Sequence, residues 1–166
     1  MDQFEKIPSV EETRHFEVVR INRPKVVING DGLETHGLMA CVSIAGSFDG
    51  SQNVAFMTHR GAGDVFQNLT DVMNIAEKHC LKDLPGTIFI FRQDESIMSG
   101  NNYKVGGERC DYQGLIEKIK DALPYTFKKV RVVEVRYGNK STAETGDAIL
   151  DLKDKIYKTD IEQGNF

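Results

Sequence analysis

Cys41 and His59 are the two residues whose spacing suggests chemistry. Cys41 opens an alternating apolar run, Cys41-Val42-Ser43-Ile44, and His59 closes the next one, Asn53-Val54-Ala55-Phe56-Met57-Thr58-His59. Two adjacent strands joined by a loop bring the start of one beside the end of the other. A thiol and an imidazole then share one end of a sheet. A cysteine nucleophile needs this arrangement, with a base in reach to take the thiol proton. The same residues also read as plain structure, since a cysteine beginning an apolar strand is ordinarily core. A histidine before a glycine-rich turn is unremarkable on a surface. On residues alone both readings stand.

The other reactive types are less suggestive. Cys80 falls on the apolar stripe of a predicted helix and reads as structural. Cys110 has no base near it in sequence. His36 adjoins Thr35 and is expected to face solvent, His79 to lie on the exposed side of its helix, and His15 to belong to the N-terminal arm. Arg92, Gln93 and Ser96 begin a long polar segment from which they could reach a substrate, although a solvated loop explains them equally well. No Cys-x-x-Cys or His-Glu-x-x-His occurs, so no structural zinc site is expected.

The elements that must position these residues follow from periodicity. Phe16–Ile21 and Lys25–Asn29 read as short strands around Arg23-Pro24, followed by a turn at Asn29-Gly30-Asp31-Gly32. Gly46–Ser51 is a hairpin-type loop. Asp64 is placed to cap a helix with Val65, Phe66, Leu69, Val72, Met73, Ala76 and Cys80 on its buried stripe, ended by Pro85-Gly86. Thr87–Arg92 is a buried strand, and Gln93–Gly107 a long connection. Asp111 caps a second helix with Tyr112, Leu115, Ile116, Ile119 and Leu123 inward, stopped by Pro124. Val130–Tyr137 alternates as a strand, Gly138–Gly146 is a polar turn, and Ala148–Leu152 a last strand. Residues 1–14 read as an arm or short helix, and the charged tail from Lys153 to Phe166 as a short helix or a disordered end. The order predicts a single α+β domain over residues 1–166, a layered mixed β-sheet core with two main flanking helices.

Composition narrows the function classes. The 166 residues carry a net charge of −4 with no long Lys/Arg run, which argues against nucleic acid as the main partner. No apolar stretch approaches the length of a membrane helix, so no membrane insertion is expected. The charged start Met1-Asp2-Gln3-Phe4-Glu5-Lys6 lacks the apolar core of a secretory signal. An odd set of three cysteines suits a reducing compartment. The expected location is cytoplasmic, with signal-less secretion as the other route.

The segment Thr35-His36-Gly37-Leu38-Met39-Ala40-Cys41-Val42, with His59 eighteen residues on, resembles the catalytic segment of CheD, the bacterial chemoreceptor glutamine deamidase family. The pattern is Thr-x-Gly-Leu-x-x-Cys, a strand, a loop, a second strand and His. The downstream order is also similar: a helix, the strand Ile88-Phe89-Ile90-Phe91, then Gly106-Gly107-Glu108-Arg109-Cys110 where the family has Gly-Glu-Arg-Asn opening a helix, and a final pair of strands. The likeness covers roughly residues 27–153. The chain departs from the family at Met39-Ala40, where Gly-Ser is usual, at Arg92-Gln93-Asp94, where a Gly-Gly is expected, and at Cys110. These mark a divergent member, and bacterial deamidase toxins share a similar Cys-His core, so an effector role stands beside a chemotaxis one.

The resemblance implies a protein-glutamine deamidase with a Cys41-His59-Thr35 triad. Cys41 would attack the side-chain carboxamide, His59 would take the thiol proton and return it to the leaving ammonia, and water would cleave the thioester to glutamate. Thr35 would orient His59, and the Cys41 N–H would donate to the oxyanion. The scheme needs no cofactor and no metal; its partner is a protein substrate carrying a target glutamine. Two alternatives stand beside it. Cys41 with His59-Arg60-Gly61-Ala62-Gly63 faintly resembles the Cys…His-x-Gly-x-x-Gly region of the laccase-domain purine nucleoside enzymes, which use zinc. The third alternative is a catalytically inactive binding module with the same fold.

Overall fold

The computed structural model describes residues 14–97, 100–138 and 146–166. The N-terminal arm and most of the Gly138–Gly146 turn region therefore lie outside the described residues. Twelve strands and two helices follow in the order β1 (Phe16–Val19), β2 (Lys25–Ile28), β3 (Gly32–Leu38), β4 (Ser43–Asp49), β5 (Asn53–Met57), α1 (Val65–Lys78), β6 (Gly86–Gln93), β7 (Asn102–Val105), β8 (Glu108–Asp111), α2 (Tyr112–Thr126), β9 (Val130–Tyr137), β10 (Gly146–Asp151), β11 (Ile156–Thr159) and β12 (Gln163–Asn165). The chain is α+β, with a layered mixed-sheet core and two helices, in the class the periodicity predicts.

The strands form two five-stranded mixed sheets and a small β7–β8 hairpin. The central sheet runs β2-β5-β4-β6-β9, with only β6 and β9 parallel. The outer sheet runs β1-β3-β10-β11-β12, with only β1 and β3 parallel. Each face of the central sheet is buried. Ile44, Phe48, Val54, Phe56, Ile88 and Ile90 join the helices in one core. Cys41, Ala45, Ala55, Met57, Phe89 and Phe91 join residues of the outer sheet in another. This is why β6 reads as an unbroken apolar run: a strand covered on both faces has no polar side to alternate with.

The helix-side core turns on three stacked rings. Phe48 lies 6.2 Å from Phe56 and 5.4 Å from Phe127, centroid to centroid. Gly46 makes room for them, since a Cβ there would meet the Phe56 ring at 2.5 Å.

Several expectations are corrected. Gly32, expected to close a turn, instead begins the strand Gly32–Leu38, which is bonded to both β1 and β10. The connection after β6 holds a 3-10 turn at Glu95–Ile97 and the β7–β8 hairpin, so Glu108-Arg109-Cys110 is strand and the helix opens only at Tyr112. Asp111 does cap it, accepting from Gly114 N–H at 2.8 Å. Asp64 occupies the equivalent place on α1 without a side-chain cap bond. Pro124 does not stop α2 but lies within its last turn, and Phe127 N–H still reaches Leu123 O at 2.9 Å. On α1, Phe66 and Met73 are exposed, and the buried stripe is Val65, Asn68, Val72, Ile75 and Ala76. Cys80 is exposed just beyond the helix, with φ at 55°. The charged tail is neither helical nor loose: β11 and β12 complete the outer sheet.

Phe48→Ala should cost about 3–5 kcal/mol, the usual price of emptying a buried aromatic site. Urea unfolding compared with the parent checks it, and a loss below 1 kcal/mol would contradict the three-ring core.

Candidate active site

Thr35, Cys41 and His59 meet at one end of the space between the two sheets. All are buried, at 0%, 8% and 4% exposure. Thr35 lies on β3 of the outer sheet, in register with Val19 of β1. Cys41 and His59 extend the central sheet beyond its formal ladder. Ala45 pairs with Met57, and Val42 is bridged to Arg60. Continuity of that register sets Ser43 opposite His59, and Cys41 one pair further along the same face. Cys41 and His59 are therefore diagonal neighbours, a relation that spans about 7–8 Å between backbones and less between side chains.

Helix α1 holds this extension together. Asn68, only 1% exposed, donates from Nδ2 to Val42 O at 3.1 Å and accepts from Thr58 Oγ1 at 2.6 Å. Thr58 Oγ1 in turn accepts from Ile44 N–H at 2.9 Å, replacing a backbone rung. One helical turn on, Asp71 takes a two-pronged bond from Arg60, at 2.7 and 3.0 Å. The turn joining β1 to β2, where the chain passes from one sheet to the other, adds a bond from Asn22 N–H to His59 O at 2.8 Å. Asn68 went unnoticed in the sequence because it stands on the buried face of an amphipathic helix, where a polar residue breaks the apolar stripe. That break was the available signal.

The imidazole has a defined tautomer. Thr35 Oγ1 donates to Val19 O at 2.7 Å and lies 2.8 Å from His59 Nδ1. A hydroxyl has one proton, and a carbonyl oxygen can only accept, so Nδ1 carries the hydrogen and donates to Thr35. Nε2 is left with its lone pair free. It is buried and has no hydrogen-bond partner among the described residues. Burial holds the imidazole below its ordinary value of 6.5, favouring this neutral base.

The nucleophile's backbone is equally constrained. Cys41 O accepts from Tyr137 Oη at 2.6 Å and from Tyr112 Oη at 3.2 Å. Ala40 before it sits at φ 55°, in the left-handed region that costs a non-glycine residue of order 1–3 kcal/mol. The Cys41 N–H makes no hydrogen bond among the described residues and is free to serve an oxyanion. The thiol is pushed up from its ordinary value of 9.0 by burial, and the Asp64 carboxylate adds to this, while the Met39 N–H opposes it. The resting pair is thus a neutral thiol and a neutral imidazole, without a direct bond between Sγ and Nε2. The expected hydrogen-bond contact is replaced by the diagonal placement.

A groove of about 340 Å³ opens beside His59, lined by Val18, Ile21, His36 and Gly37 among others. His36 is half exposed on its rim, bonded to Asp147 at 2.9 Å. Met39 is 62% exposed and does not line this groove. Arg92 does not face a substrate: it is fully buried and bonds Gln113 at 2.5 Å and Glu134 at 3.2 Å. Ser96 is exposed and bonds Asp94. Gln93 is tied by its backbone N–H to Tyr112 Oη at 2.9 Å. Cys110 is half-buried against the helix-side core, His79 is half-buried at the end of α1, and His15 is exposed beside Glu17. No three His, Cys, Asp or Glu side chains converge as metal ligands among the described residues, so the zinc set of the laccase-type alternative does not assemble around His59.

Neither protein-family models nor curated proteins give a match to this chain.

Cys41 is buried and Cys80 is exposed. Cys80 should react with iodoacetamide before Cys41 in folded protein at neutral pH, and the Cys41 rate should go on rising above pH 9. Peptide mapping over a time course checks both; early saturation of Cys41 would contradict its burial.

Proposed function

We propose that the protein is a cysteine hydrolase that deamidates protein-bound glutamine, with Cys41 as nucleophile, His59 as base and Thr35 as its orienting partner. The observation that carries this reading is the Thr35 hydroxyl, which spends its only proton on Val19 O and so commits His59 Nε2 to the role of acceptor. The free Cys41 N–H and the left-handed Ala40 support it, since an acyl-transfer site needs an unengaged donor beside its nucleophile.

The groove is lined by His59 and not by Cys41, so the carboxamide carbon reaches the buried thiol past the imidazole. His59 Nε2 takes the thiol proton as Sγ attacks, which pulls the diagonal pair together. The thiol starts neutral and gives its proton to Nε2 in the step that forms the C–S bond. The oxyanion is met by the Cys41 N–H, and the proton on Nε2 passes to the departing nitrogen, which leaves as ammonia. Water then adds to the thioester, the C–S bond breaks, and a glutamate side chain is released. Val18 and Ile21, 43% and 53% exposed, give the groove an apolar rim suited to a protein surface around the glutamine. Three free thiols fit action in a reducing cytoplasm. The CheD resemblance accounts for the same three residues, and the substrate would then be a partner protein's exposed glutamine.

Ammonia release is the test, using an N-blocked glutaminyl-glycine peptide and unfolded casein as probes. Cys41→Ala should abolish it. Thr35→Ala should fold and lose about ten- to a hundredfold, equivalent to about 1–3 kcal/mol, whereas Thr35→Ser should retain most of the rate. Ammonia from neither probe, or equal ammonia from Cys41→Ala, overturns the proposal.

The acid side of the pH profile supplies a second test. His59 must be neutral to act as base, and burial lowers its pKa, so the neutral form persists to lower pH than in a free histidine. The acid limb of kcat/KM should have its midpoint below 6.5. A midpoint above that value would argue against His59 as the base.

A further inference from the structure

Two side-chain polar atoms among the described residues are fully buried without a hydrogen-bond partner, Ser43 Oγ and His59 Nε2. They belong to one cross-strand pair. The β4–β5 register that runs from Ala45 opposite Met57 to Val42 opposite Arg60 sets Ser43 against His59. Because Val42 and Arg60 exchange both backbone bonds, at 2.9 and 3.1 Å, the Ser43–His59 pair is of the close, non-hydrogen-bonded kind, with side chains nearest one another. On its other side Ser43 is in register with Phe91, and Phe91 with Val135. The row across the sheet is thus His59, Ser43, Phe91, Val135. Only His59 offers Ser43 a polar neighbour within it.

An apolar side chain would suit position 43 better in every structural respect. A buried hydroxyl without a partner costs about 1–3 kcal/mol, and Ala would remove that cost. A water bonded to both orphaned groups would satisfy each of them, given room for it between the paired residues.

We propose that Ser43 Oγ and His59 Nε2 together seat the water that hydrolyses the acyl-enzyme, which makes Ser43 a positioning residue for the second half of the reaction. The inference rests on the deamidase reading. Once ammonia has left, Nε2 is again unprotonated and the acyl group sits on Cys41, one pair along the same face. The seated water gives a proton to Nε2 as its oxygen bonds to the thioester carbon. The tetrahedral adduct then expels sulfur, the C–S bond breaks, and the Nε2 proton returns to Sγ. The carboxylic acid formed ionises to glutamate. Ser43 orients the water throughout and exchanges no atom with the substrate. Attack by Cys41 needs no such water, so Ser43 acts on deacylation alone.

The N-blocked glutaminyl-glycine peptide separates the two halves, because ammonia counts acylation and carboxylate counts deacylation. Acyl-Cys41 is formed with the peptide, freed of it by rapid gel filtration at acid pH, returned to neutral pH, and followed by intact mass. In Ser43→Ala its decay should slow about tenfold while the first equivalent of ammonia appears at the parental rate. Ser43→Thr, which keeps the hydroxyl, should restore the decay. Hydroxylamine, a nucleophile that needs no seated base, should discharge the Ser43→Ala adduct at the rate it shows with parent enzyme. Equal decay in parent and Ser43→Ala overturns the inference, as does slowed ammonia release with no lasting adduct, which is what a packing defect would produce. If the parent itself yields no ammonia, the deamidase reading is what fails, a result visible before any Ser43 variant is made.

Discussion

The Thr35 hydroxyl is the joint between the two sheets at the site, and the chemistry follows from how few protons it has. It sits on the outer sheet, reaches Val19 O in its own sheet, and receives His59 from the central one. Had Thr35 been free to donate to either partner, the imidazole tautomer would be undetermined. The Val19 carbonyl removes that freedom, since a carbonyl accepts only. The orientation of Nε2 toward acceptor chemistry is therefore decided by a backbone oxygen on β1, the strand whose Val18 also lines the groove.

Everything around that joint restrains the strand ends. Cys41 and His59 both lie beyond the regular β4–β5 ladder, where a hairpin would ordinarily fray. Asn68 and the Arg60–Asp71 pair tie both ends to α1, and Tyr112 and Tyr137 hold the Cys41 carbonyl from α2 and β9. The site so assembled draws on both helices and both sheets. Among the described residues, the buried side-chain nitrogen and oxygen atoms without a hydrogen bond are Ser43 Oγ and His59 Nε2. Buried networks of this kind rigidify when complete, and under the proposed hydrolase reading the two unsatisfied atoms are where a reactant would enter.

Burial sets the electrostatics in one direction. It raises the thiol and lowers the imidazole, so each is held in its neutral form. Under the proposed hydrolase reading, a pre-formed thiolate–imidazolium pair would be open to any electrophile reaching it, whereas a neutral pair would wait on a seated substrate to trigger proton transfer.

The sequence by itself determined the secondary periodicities, the two helices, the β4–β5 hairpin and the nomination of Cys41 and His59, because these depend on residues close in the chain or on a local pattern; Thr35 entered only through the CheD resemblance. It missed β3 as a strand, since Gly32, Thr35 and Gly37 show no apolar alternation, and it missed β11 and β12, whose charged residues look unstructured until the outer sheet receives them. Only the tertiary structure decided that β9 and β10, adjacent in sequence, belong to different sheets. It alone set Ser43 opposite His59 and put a tyrosine from α2 and another from β9 on one carbonyl. Those relations are fixed by register and by layer packing between segments up to 96 residues apart, and no local pattern encodes a register.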